Sequence, residues 1–69
     1  MGATVEWSGV LAGRATRVAV RMAADGGDPF VVSWLACLED GTLVEVSPYQ
    51  LRAILPELRR LFEEVQCLH

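Results

Sequence analysis

Apolar and polar residues alternate clearly along the chain from Gly13 onward. Val18, Val20 and Met22 fall on one side of an extended segment and Arg17, Ala19 and Arg21 on the other, which predicts a half-solvated strand over about residues 14–22. Before it, residues 1–4 read as a loose end, and a short alternating stretch over residues 5–8 offers a further strand at a sheet edge. Residues 25–29, Asp-Gly-Gly-Asp-Pro, collect turn formers, so the chain reverses there. Residues 30–38 are the most strand-like run, carrying no charge until Glu39. Period two puts Phe30, Val32, Trp34, Ala36 and Leu38 on one face and Val31, Leu35 and Cys37 on the other, the pattern of a central strand covered on both sides.

Asp40-Gly41 is a strong hairpin signal, because a two-residue type I′ turn needs positive φ at both central positions. The returning strand covers residues 43–46. With Asp40 and Gly41 as the whole turn, Leu38 opposes Leu43, Cys37 opposes Val44 and Leu35 opposes Val46. That register gathers Leu35, Cys37, Val44 and Val46 into one apolar patch. Phe30, Val32, Trp34 and Leu38 then share the opposite face with Leu43 and Glu45.

Ser47-Pro48-Tyr49-Gln50 has the form of a capping box: a serine N-cap, proline at the first helical position and glutamine at the third. Leu51, Ile54, Leu55, Leu58, Leu61, Phe62, Val65 and Leu68 follow at helical spacing, with charged residues between them. A helix is expected over about 48–66, kinked or broken near Pro56, whose ring clashes with the preceding turn and which has no N–H to donate.

These elements predict a single α+β domain over residues 1–69: a three- to four-stranded antiparallel sheet, or a small closed barrel, followed by an amphipathic helix. The helix is expected to cover the Leu35, Cys37, Val44 and Val46 patch, leaving the Phe30, Val32 and Trp34 face to a barrel interior, a second copy or another protein. Across about residues 13–54 the runs Leu38-Glu39-Asp40-Gly41-Thr42, Val44-Glu45-Val46 and Gln50-Leu51-Arg52 resemble the SH3-like and Tudor-like small barrels. The resemblance implies successive antiparallel strands ending in a short helical turn. It carries over architecture and no functional residue.

Composition narrows the function. A chain of 69 residues has room for one core and stays marginal without a supplement such as oligomerisation. It has no apolar run of the roughly 20 residues needed to cross a bilayer and no basic leader, so a soluble, cytoplasmic protein is expected. Cys37 and Cys67, its two cysteines, lie in different expected elements and form no disulfide framework. The net charge of −3 argues against a sequence-blind nucleic-acid binder, yet all six basic residues are arginines. Arg14, Arg17 and Arg21 crowd one strand and can form a local anion or nucleic-acid stripe, which Arg52 can join.

No catalytic residue is expected. The chain has no lysine, its one histidine is His69, and Ser8, Ser33 and Ser47 read as turn, strand and cap residues. Asp25, Asp28 and Asp40 sit in expected turns. Cys67 and His69 fall short of the four ligands of a structural zinc site, so neither metal nor cofactor is expected. The aromatic residues remain: Phe30, Trp34, Trp7 and Tyr49, with Val32, are candidate interface residues, since a short chain otherwise needs its large aromatics for its core. The function expected is a non-enzymatic interaction module that self-associates as a dimer through Phe30, Val32 and Trp34. The alternatives are a nucleic-acid accessory protein using the arginine stripe and a small acidic phage or mobile-element inhibitor or adaptor of another protein.

Overall fold

The computed structural model describes residues 1–67; Leu68 and His69, and with them the Cys67/His69 pair, lie outside the described residues. Four antiparallel strands form one sheet in chain order: β1 (Gly2–Leu11), β2 (Arg14–Ala23), β3 (Phe30–Leu38) and β4 (Leu43–Val44). Two helices follow, α1 (Pro48–Ala53) and α2 (Leu55–Cys67). The sheet stays open, with β1 and β4 at opposite edges, so the closed-barrel alternative and the closure implied by the SH3-like resemblance are not realised. The helices occupy the face that a barrel would enclose. Only two residues of β4 pair before the chain turns into α1, too few to reach round to β1.

β1 is more than twice the length expected and takes in residues 2–4 of the expected loose end. Its ten residues pair in register with all of β2, from Gly2↔Ala23 to Leu11↔Arg14. Met1 and Ala24 extend the ladder, with the Ala24 N–H donating to the Met1 carbonyl at 2.9 Å. Between these strands Ala12 and Gly13 form a two-residue turn with φ of 51° and 79°, the type I′ geometry that matches strand twist.

The hairpin between β3 and β4 has a different turn from the one expected. Cys37 pairs with Leu43 and Ala36 with Val44, one residue out of the predicted register, because the loop contains three residues. The Gly41 N–H donates to the Leu38 carbonyl, the Leu38 N–H donates to the Thr42 carbonyl, and Gly41 takes a φ of 89°. This is a tight turn closed by a left-handed glycine.

A second irregularity lies within β3. Met22 pairs with Val31 and Arg21 with Ser33, so Val32 is an extra residue that β2 does not match. Such a bulge reverses the alternation. Phe30, opposite Ala23, and Trp34, opposite Val20, therefore stand on opposite faces, and the grouping of Phe30, Val32 and Trp34 on one face is corrected. Ala36 is buried and Trp34 and Leu38 are partly buried on the helix side, whereas Leu35 is exposed on the open side. The expected helix-covered patch is corrected in the same way: Val44 and Val46 belong to it, Leu35 and Cys37 do not.

The core lies between sheet and helices. Val5, Trp7 and Leu11 of β1, Val18, Val20 and Met22 of β2, and Ala36 meet Leu51, Ile54, Leu58 and Phe62. Met22, Leu58, Val18 and Val20 are fully buried, each worth about 1.5–3 kcal/mol for the medium and large side chains. Trp7 folds its indole across Gly9, where an added Cβ would lie 2.5 Å from ring carbon Cζ2, so glycine is required there.

The capping box forms as expected. Ser47 Oγ accepts from the Gln50 N–H and Gln50 Oε1 accepts from the Ser47 N–H at 2.8 Å. α1 ends at Ile54, and Pro56 falls in the first turn of α2, where a missing N–H leaves no helical bond unmade. The break thus precedes the proline by two residues. Two polar contacts seat α2: Trp7 Nε1–H donates to Glu57 Oε2 at 3.3 Å and Arg59 Nε–H to the Pro29 carbonyl at 3.2 Å.

Candidate interaction surfaces

Two surfaces emerge from this arrangement, the open face of the sheet and a groove beside β3. The open face follows from the strand registers. Thr4, Glu6, Ser8 and Val10 of β1 stand opposite Arg21, Ala19, Arg17 and Ala15 of β2, and Ser33, Leu35 and Cys37 of β3 continue the rows. Leu43 pairs with Cys37 and extends the face onto β4. No element covers it among the described residues. Leu43 is 66% exposed, Leu35 62%, Val32 54% and Phe30 50%. Large apolar side chains so exposed together mark an interaction surface more often than a solvated one.

The face also carries both signs of charge. Arg17 and Arg21 project from a central strand with Glu6 beside them on β1, and Glu45, past the end of β4, is exposed. Arg14 does not join them. It pairs with Leu11 at the end of the first hairpin, on the helix-side alternation, so the three-arginine stripe divides into a pair and an outlier. Arg52 lies farther away, on α1, in contact with the groove.

The groove encloses about 470 Å³ between the start of β3 and the two helices. Val31, Trp34, Leu51 and Leu55, buried or partly buried, form its floor, and Phe30, Tyr49, Arg52 and Arg59 its rim. Trp34 is held by its indole N–H, which donates to the Val46 carbonyl at 2.9 Å. Of the candidate interface residues, Phe30, Trp34 and Tyr49 meet here, Val32 stands on the bulge, and Trp7 is buried in the core at 7% exposure.

Ser47, Asp40 and Thr16 have structural partners. Ser47 caps α1. Asp40 Oδ1 accepts from the Thr42 N–H at 2.9 Å, a bond that holds its carboxyl below the usual aspartate range, with Arg14 adding a smaller electrostatic contribution in the same direction. Thr16, buried in β2, donates from Oγ1 to the Arg14 carbonyl. Sequence reasoning overlooked Leu35 and Arg59 as surface residues, Leu35 because the misassigned register put it under the helix and Arg59 because of its place in an ordinary i, i+4 charge pattern. No family model matches this chain, and no curated protein or solved structure matches it either.

Proposed function

We propose that this protein is a non-enzymatic interaction module that associates with itself through the open face of its sheet. The observation carrying this reading is the exposure of Leu35 and Leu43 on the side away from the helices, with Phe30, half exposed, at the sheet edge it shares with the groove. Its shape supports the same reading: the chain is a slab 34 × 23 × 16 Å, one sheet and one helical layer thick. It exposes 4838 Å² of surface. A compact monomer of its mass exposes about 4,300 Å². The excess, roughly 500 Å², is a substantial part of the roughly 800 Å² that each partner buries in a standard interface.

A symmetric dimer opposes one patch to itself, so the patch must not repel its own copy. Arg17, Arg21 and Glu6 give the patch both signs of charge, and an apolar centre at Leu35 and Ala19 with charges around it has the anatomy of an interface. Cytoplasmic residence accords with the free thiols of Cys37 and Cys67. Size-exclusion chromatography with light scattering tests the reading. Wild type should elute at twice the chain mass, and Leu35→Glu should elute as a monomer with an unchanged circular dichroism spectrum. A wild-type monomer at high concentration, or a dimer that survives Leu35→Glu, would sink it.

A second reading is carried by the placement of Arg17 and Arg21 on this same face: contact with nucleic-acid phosphates. Glu6 between them offsets part of that charge, and the protein's net charge is −3, which ranks this reading behind self-association. It requires salt-sensitive oligonucleotide binding that Arg17→Ala with Arg21→Ala abolishes, and no binding at low salt removes it.

A further inference from the structure

Along β3 the sheet has an unfinished edge. β4 pairs with Ala36 and Cys37 and then departs, so among the described residues no strand lies beside residues 30–35 on that side. The Leu38 N–H points toward β4, and by the two-residue period so do the backbone groups of Ala36 and Trp34. No backbone bond joins Trp34 to residues 45–47; its indole makes the connection to Val46 instead. The open stretch is about 20 Å long at a strand's rise per residue. The apolar groove of Trp34, Leu51 and Leu55 runs beside it, with Arg52 and Arg59 on its rim and no carboxylate among its lining residues.

We propose that this groove binds an extended peptide segment of another protein, added as a strand to the edge of β3, with an apolar side chain in the groove and an acidic residue facing Arg52 and Arg59. Each feature answers one part of such a ligand. The unpaired main chain of β3 recognises extended backbone. A volume of about 470 Å³ lies within the range of sites that hold small ligands or single anchoring side chains. The two guanidinium groups, in a protein of net charge −3, put positive charge where the rest of the molecule has an excess of negative charge, which selects for a carboxylate. A helix-forming ligand would leave the strand edge unpaired, and a basic one would meet two like charges.

Selection from a phage-displayed library of random dodecapeptides on the full chain is the test. Enriched sequences should combine apolar and acidic residues and lack proline at the centre. A synthetic peptide of the enriched sequence should shift the amide resonances of residues 30–35 in the labelled protein. Its affinity should fall at least tenfold for Arg52→Gln, an exposed position whose change leaves the fold intact, and also when alternate peptide nitrogens are methylated. No enrichment, enrichment of basic sequences, shifts confined to the open face, or an affinity indifferent to Arg52→Gln and to N-methylation would each overturn the proposal.

Discussion

Ala12 is held at a φ of 51°, a left-handed conformation that an alanine side chain resists. The ten-pair ladder between β1 and β2 holds it there, since two-residue hairpin connections favour the primed turns and positive φ at both Ala12 and Gly13 makes this one type I′. Ala12→Asn should therefore stabilise the protein by about 1 kcal/mol, read as a higher denaturation midpoint with an unchanged m-value. A lower midpoint would mean that the turn is not type I′. Asp40 makes the other residue-scale prediction. Its bond to the Thr42 N–H favours the carboxylate, so its pKa is lower in the folded state than in the unfolded. The stabilisation is complete above the ordinary aspartate range and is lost as the pH falls through the depressed value. The Thr42 amide resonance should titrate with a midpoint below the usual aspartate range, and Asp40→Asn should remove that titration. The signals behind these two residues differed in clarity. Asp40-Gly41 announces a turn, whereas alanine is a poor marker of left-handed backbone, and the first hairpin was missed with it.

The elements themselves were largely legible. The limits of β3, the capping box of α1, the interruption near Pro56 and the apolar stripe of α2 all follow from local chemistry, and each is present. Faces were not legible, because a face depends on counting by twos along the strand and two local departures upset the count. Val32 is one extra residue in β3, and Glu39 is one extra residue in the turn. Neither carries a composition signal; both are set by pairing with a partner strand distant in sequence. The bulge gives a direct test. Deleting Val32 leaves Val31 opposite Met22, Ser33 opposite Arg21 and Trp34 opposite Val20, so the shortened chain should fold with every core residue in place. Deleting Leu35 instead shifts Trp34 away from Val20, and that variant should unfold or lose its cooperative transition. Circular dichroism melts of the two deletions distinguish them; equal damage would contradict the bulge assignment.

At the scale of the whole molecule, one helical layer covers one face of a four-stranded sheet and leaves the other face to solvent. The sequence raised the question of an uncovered face correctly in kind and placed Leu43 on it, and the structure adds Leu35 and removes Trp34. Trp34 moves to the groove, and Trp7 to the core. Self-association would remove apolar surface that a domain of this size can ill leave exposed, and it would tie stability to protein concentration. The melting temperature would rise with concentration. The most direct measurement is an isotope-filtered NOE experiment on an equal mixture of labelled and unlabelled protein. Contacts across copies between the methyl groups of Leu35 and Leu43 and the ring of Phe30 are the predicted result. Their absence at concentrations where wild type sediments as a dimer, or cross-copy contacts from the outer edge of β1 instead, would contradict it.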